Sequence, residues 1–329
     1  MIRRTIGTLF LSLSLILTGC RAPQTAAPTP TSQPTPPPPT PTLTPTATPV
    51  PPPTATSAPT PAGFNGQRAY ADVEYQVSLG PRTPGSPGHD AIVKWMQAEL
   101  AAAGWDVEMQ ESAYHNYTVR NIVAKRGAGK KPWIVLGAHY DTRLEASEDP
   151  DPARRQDPVP GANDGASGVA VLMELARTLP PDLDREIWLA FFDVEDQGRL
   201  PNWEWIIGSN KLAEAIAALP EQPDAVVIVD MVGDVNLNLP IERNSDPDLA
   251  REIWAAAEEL GYEDAFLQQP GYSMLDDHTP FLNRGMRAVD IIDFDYPYWH
   301  TVADTPDQVS AESLGIVGET LYHWITGQE

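Results

Sequence analysis

The sequence predicts a single-domain α/β sandwich, in which helices flank a central mixed, mostly parallel β-sheet. Three observations carry this. Short apolar runs rich in branched and aromatic residues recur between residues 63 and 329. Amphipathic stretches bounded by helix start and stop residues separate them. Four of the runs are followed closely by acids or histidines.

In chain order, a helix is expected over 87–103, opened by Pro87 and closed by Gly104, because proline suits the first turn and glycine the position past the last. A strand follows at 133–138 (WIVLGA). The next helix, 168–179, stops at Pro180-Pro181, and a strand at 187–192 (IWLAFF) comes after it. A helix over 209–219 ends at Pro220 and leads to a strand at 225–229 (AVVIV). The helix at 246–260 opens on an Asp-Pro cap and ends at Gly261. A strand at 288–292 (AVDII) and a helix at 310–325 complete the order. These strands are continuously apolar, as in sheets covered on both faces. Alternation of strand and helix makes the sheet mostly parallel.

Composition narrows the function. The chain has 329 residues, one Cys, 22 Lys and Arg and 45 Asp and Glu, for a net charge of −23. One Cys excludes an intramolecular disulfide and any Cys-cluster metal site. The acidic balance argues against nucleic acid as a partner.

The first 62 residues read as an address and a tether. Met1-Ile2-Arg3-Arg4 is basic, and the apolar run 5–17 is short for a bilayer span, as in a signal peptide. Leu17-Thr18-Gly19-Cys20 resembles a bacterial lipoprotein processing site. The resemblance implies a signal peptide over 1–20, cleavage before Cys20 and lipid on its thiol. Residues 21–62 hold 16 of the 35 prolines and no acid. They are expected to be a disordered Pro/Thr-rich linker, a spacer reaching about 130 Å if extended as polyproline II. The catalytic domain is then 63–329, extracytoplasmic and lipid-anchored to a bacterial cell membrane.

The residues that follow the strands carry the chemistry. The strand at 133–138 leads to His139-Tyr140-Asp141, and that at 187–192 to Asp193, Glu195 and Asp196. The strand at 225–229 leads to Asp230, and the last to Asp293, Asp295 and then His300. Ligands bind beyond the carboxyl ends of such strands. Histidines and carboxylates without thiolates point to a catalytic zinc site. Asp164 lies in the turn Gly161-Ala162-Asn163-Asp164-Gly165, where small residues allow close approach to an ion. Adjacent Glu195 and Asp196 can divide roles, one binding metal and the other moving protons. Asp141 is expected to orient His139 rather than bind metal. His89, His115 and His323 lack ligand spacing, Trp188 and Trp254 read as core, and the acidic run 145–157 reads as a solvated loop near the site mouth.

These residues resemble the zinc aminopeptidase superfamily, and within it the glutaminyl-peptide cyclotransferase branch. The likeness runs from Arg82-Thr83-Pro84-Gly85 to Trp324. Phe191-Phe192-Asp193 before the acid pair, Asp276 in Asp276-Asp277-His278-Thr279-Pro280, Trp299 beside His300, and Trp203 are similar to the cyclotransferases. Residues 160–168 and 302–307 are similar to aminopeptidase segments. Animal cyclotransferases also carry a disulfide, which this chain cannot form.

The cyclotransferase resemblance implies one zinc held by Asp164, Asp196 and His300. The second ligand is usually Glu there; Asp196 is a methylene shorter, so its loop must move inward or the ion must shift. The resemblance also implies Glu195 as acid/base, Asp230 and Asp276 as its orienting partners, and a pocket for a peptide's N-terminal Gln walled by Trp203, Tyr296 and Trp299. The alternative is a two-zinc aminopeptidase, with Asp164 bridging, His139 and Asp230 on one ion, and Asp196 and His300 on the other. A lipid-anchored binding protein without catalysis is the remote third reading.

Overall fold

The computed structural model describes residues 63–327. The expected signal peptide, Cys20 and the linker 21–62 lie outside the described residues. The elements in chain order are α1 (Gly66–Ser78), α2 (Pro87–Ala102), β1 (Asp106–Tyr114), β2 (Tyr117–Arg126), β3 (Trp133–His139), α3 (Ala166–Thr178), β4 (Glu186–Phe192), α4 (Ile207–Ala217), β5 (Ala225–Asp230), β6 (Leu239–Ile241), α5 (Pro247–Glu259), β7 (Phe266–Pro270), α6 (Thr279–Leu282), β8 (Ala288–Ile292) and α7 (Ala311–Thr326). The main sheet has the order β1-β2-β4-β3-β5-β8, and β6 pairs with β7 separately.

The sheet is mixed, as expected. Strands β4, β3, β5 and β8 run parallel. Strand β2 is antiparallel to both β1 and β4. Every residue of β3, β5 and β8 is buried, which explains why these strands lack a polar alternation. Their period of two sorts side chains between two cores. Ile134, Leu136, Val227, Val229, Val289 and Ile291 face one core, with α1, α2, α3, α5 and α7. Trp133, Val135, Val226 and Ile228 face the other, with α4 and Phe281 of α6.

Helix α3 is the centre of the larger core, with buried residues all round apart from Arg177. A helix apolar on every side belongs inside. A Cβ on Gly168 would come within 2.3 Å of Val229 O, so the backbone of α3 rests directly on β5. That close approach brings the Asp164 turn to the end of the parallel strands. Helix α1, which sequence pattern left unassigned, covers α3. Arg68 of α1 makes a bidentate pair with the buried Glu174 of α3, and Arg177 pairs back to the buried Asp72.

Candidate functional site

The four parallel strands end at one edge, and the chemistry-bearing residues meet there. His139 ends β3, Glu195 and Asp196 follow β4, Asp230 ends β5, and His300 lies beyond β8. The chain bends sharply to present them. Val194, Met231 and His300 have φ values of 56°, 47° and 55°. Non-glycine residues in this left-handed region cost on the order of 1 kcal/mol or more, and such strain collects at functional sites.

Two triads share one carboxylate. His139, Asp164 and Asp230 bring one ligand atom each within 4.8 Å of one another, and so do Asp164, Asp196 and His300. Asp164 Oδ1 lies 3.1 Å from His139 Nε2, and its Oδ2 lies 3.7 Å from His300 Nε2. His139 Nε2 is 3.2 Å from Asp230 Oδ1, and His300 Nε2 is 2.7 Å from Asp196 Oδ1. All five residues are buried. Asp164 Oδ2 and Asp196 Oδ2 have no hydrogen-bond partner. Two orphaned, buried carboxylate oxygens facing an imidazole fit a divalent cation in the Asp164–Asp196–His300 triad.

The surrounding residues hold this arrangement. Asp304 accepts the backbone N–H groups of Asn163 and Asp164 at 2.8 and 3.1 Å. Tyr296 donates its hydroxyl to Asp304 at 2.7 Å. Arg143 donates to the carbonyls of Asp196 and Gly198 at 2.9 and 3.0 Å. That draws the loop after β4 inward, so the short Asp196 side chain reaches His300. Asp141 accepts the Glu195 N–H at 3.0 Å and the Gln197 amide at 2.9 Å. Its 3.6 Å approach to His139 Nδ1 is an ion-pair contact beyond hydrogen-bond length. Asp141 therefore fixes the Glu195–Asp196 backbone more than it fixes the His139 ring.

Arg82, from the expected Arg-Thr-Pro-Gly motif, is fully buried and donates to the carbonyls of Tyr140, Pro160 and Gly161. Burial pulls its pKa down to about 10 against the pull of Asp304, Asp141 and Asp164. Arg82→Met is expected to lower the unfolding free energy by about 3 kcal/mol or more, because buried acceptors lose charged donors. Urea unfolding measures this, and a change under about 1 kcal/mol would refute the positioning role.

The electrostatics divide the acids. Burial, with the charges of Asp196, Asp277 and Asp276, pushes Glu195 well above the usual carboxylate range although His139 opposes it. Burial raises Asp230 to about 7, His139 again opposing. Asp164 is held low despite burial by its hydrogen bond and charge contact with His139 and by His300. Burial disfavours a charged His139, but the charge of Asp230 and the close carboxylates of Asp141, Asp164 and Asp230 outweigh it and raise that imidazole well above the ordinary value.

A cavity of about 200 Å³ opens on this cluster, lined by Asp164, Glu195, Asp196, Asp230, Asp276 and Trp299 together with Arg199, Trp205 and apolar residues. Asp276 comes from the loop before α6 and joins Asp164, Glu195, Asp196 and Asp230 there, whereas Asp193 turns back to His89 and the Arg120 N–H, and Asp293 and Asp295 turn to Asn238. Trp299 stacks on His300 with ring centroids 3.7 Å apart, and Trp205 stacks on the same ring at 5.9 Å.

Two expected wall residues sit elsewhere. Trp203 stacks on Tyr114 and meets Tyr117 edge-on. The strand-like bridge between Asp196 and Trp205 returns residue 205, not 203, to the site. Tyr296 is turned inward to Asp304 and supports the Asp164 turn from behind. Met231, Met274, Leu275 and Phe294 also line the cavity; they come from irregular segments with no periodic signal. The acidic run does reach the site: Glu148 N–H donates to His300 O and Val302 N–H to Asp149.

Comparison with known proteins agrees with this geometry. The family model described as Peptidase family M28 matches residues 121–325. The crystal structure of Porphyromonas gingivalis glutaminyl cyclase superposes with a TM-score of 0.76 at 32% identity, covering 81% of this chain and 99% of that one. That of a Zn-dependent exopeptidase from Parabacteroides distasonis gives 0.75 at 30% identity, covering 81% and 99%. The glutaminyl-peptide cyclotransferase of Bothrops jararaca is 27% identical over 288 residues, covering 73% of this chain and 75% of that protein.

Proposed function

Because this chain belongs to peptidase family M28, we propose that it is a zinc-dependent glutaminyl-peptide cyclotransferase, converting the N-terminal Gln of peptides to pyroglutamate with release of ammonia. One observation carries the reading: Glu195, Asp230 and Asp276 share a small, tryptophan-walled cavity with the Asp164–Asp196–His300 triad. The cavity has room for about one residue, and both relatives named for this activity support the assignment.

Zinc held by Asp164, Asp196 and His300 would act as a Lewis acid toward the side-chain amide oxygen of the substrate. Asp230 and Asp276 attract the substrate's ammonium into the cavity, where it gives one proton to solvent and becomes the nucleophilic amine. Glu195 takes a proton from the α-nitrogen as that nitrogen bonds to the amide carbon. It then returns the proton to the amide nitrogen, which leaves as ammonia when its bond to carbon breaks. A raised pKa suits a group that must both take and give a proton near neutral pH. Trp205 and Trp299 hold the side chain folded back on its own amine, and this orientation supplies much of the rate.

The alternative, a two-zinc aminopeptidase, is favoured by one feature, the division of the Asp164 oxygens between two triads. The test is to load the chain with zinc and incubate it with Gln-Xaa and Leu-Xaa peptides under mass spectrometry. Loss of ammonia from Gln-Xaa with Leu-Xaa intact supports the cyclotransferase. Release of free leucine overturns it.

The proposed setting is outside the cytoplasm, on a bacterial membrane through lipid on Cys20 and the 21–62 linker, with peptide or protein N-termini as partners. Among the described residues no helix is long and apolar enough to cross a membrane.

Zinc should stabilise the chain more at pH 8 than at pH 5.5. Asp230 and Asp304 both titrate near 7 in the folded, metal-free protein because burial raises them. Their unfolded values are near 3.9, so the folded state holds extra protons between these limits. Stability from these groups is full below about pH 4 and is lost as pH rises through 7. A cation in the site favours their charged forms and restores what is lost. Melting with chelator and with zinc at both pH values checks this, and an equal zinc-induced shift at the two would contradict it.

A further inference from the structure

We propose that Arg199 is a specificity residue that selects peptides carrying a carboxylate at the second or third position. The inference rests on the reading that the cavity receives peptide N-termini, which the cyclotransferase and aminopeptidase assignments share.

Arg199 stands out among the residues lining the cavity. The other charged side chains there are Asp164, Glu195, Asp196, Asp230 and Asp276, and Arg199 is the one base. It is exposed, whereas those acids are buried. Among the described residues no carboxylate lies within ion-pair distance of it, and its side chain is open to solvent.

Its backbone supplies a second, independent observation. Arg199 has a φ of 63°, where a non-glycine residue is strained. Glycine would take that conformation freely, and Gly198 beside it is already required, since a Cβ there would lie 2.0 Å from the Trp205 ring. A long cationic side chain kept on a strained turn points to a use for the side chain.

The path of a bound peptide supplies that use. The α-ammonium goes to the buried acids, so the chain must leave past the rim, where Arg199 and the 57% exposed Leu275 lie. Residues 63–329 carry all 45 of the chain's acids against 19 of its 22 bases, which disfavours acidic peptides. A guanidinium at the exit offsets this locally, and its planar fork matches a carboxylate.

The test uses the full chain loaded with zinc and three peptide amides, Gln-Glu-Ala, Gln-Gln-Ala and Gln-Lys-Ala, with Gln-Ala-Glu as the third-position probe. Wild-type kcat/KM should rank Glu above Gln above Lys at position two. Arg199→Gln should lower kcat/KM for the Glu peptides about three- to fivefold, the range of an exposed ion pair. The loss should fall on KM, with kcat and the Gln-Gln-Ala rate unchanged. Arg199→Lys should recover part of it, Arg199→Glu should reverse the ranking, and 0.5 M salt should flatten it. An equal loss on all peptides, or no loss on any, overturns the proposal. If no Gln peptide releases ammonia, the cyclotransferase reading fails by itself. The ratio for Arg199 is then read from Leu-Glu-Ala against Leu-Gln-Ala by leucine release, or from calorimetric Kd values where neither reacts.

Discussion

Glu195→Gln should reduce turnover of a Gln peptide by about a thousandfold or more while the protein keeps its metal and its fold. Proton transfer by a positioned side chain contributes on the order of 10²–10⁴ in rate, and here one carboxylate serves both halves of the reaction. Glutamine matches its size and hydrogen-bonding reach but cannot take the proton. The effect on stability should have the opposite sign. Glu195 is buried beside Asp196, Asp276 and Asp277, which already disfavour its charge. A neutral amide removes that repulsion, so the metal-free variant should melt at the same temperature as the wild type or higher. A tenfold or smaller loss of kcat would move the proton transfer to another group, with Asp230 and Asp276 the next carboxylates in the cavity.

The elements that the sequence predicts correctly are those whose burial is uniform. Strands β3, β4, β5 and β8 are apolar on both faces because helices cover both, and this shows as unbroken runs. Helices α2 and α5 carry Ser86 and Asp246 as N-caps, whose side chains accept backbone N–H groups. The β1–β2 hairpin was not legible. No residue of β1 is fully buried; Val107 and Met109 reach the core from partly exposed positions, so the strand carries no unbroken apolar run. Helix α1 was hidden for a related reason, since its contacts with α3 run through Arg68, Asp72 and Gln76, which read as surface residues.

The site was legible in its acids and histidines because strand ends fix their direction. The walls were not, since they depend on how a loop returns. Between Val194 and Ile206 four non-glycine residues have positive φ. No pattern of composition reports that path, and it decides that Trp205 and not Trp203 stacks near His300. The support of the Asp164 turn by Asp304 and Tyr296 was equally hidden, because it joins segments more than 130 residues apart.

Metal stoichiometry in two histidine variants should separate the one-ion and two-ion readings of the site. In the one-ion reading, wild-type protein binds one zinc per chain, His300→Gln binds none at micromolar zinc, and His139→Gln still binds one. The reason lies in the partners of each triad. Within the two triads, Asp164 Oδ2 and Asp196 Oδ2 are the buried carboxylate oxygens left without partners, and both belong to the triad of His300. His139 instead has its Nε2 within 3.2 Å of oxygens of both Asp164 and Asp230, contacts that the side chain can keep without an ion. Removing a ligand from a three-residue site leaves two, too few to compete with water for zinc. His300→Gln should therefore lose turnover altogether. His139→Gln should lose about tenfold, through the position of Asp164 and the field at Glu195. Two zincs in the wild type, falling to one in His139→Gln, would make Asp164 a bridging ligand. Glu195 would then activate water in place of an amine, and leucine release would be the activity to measure.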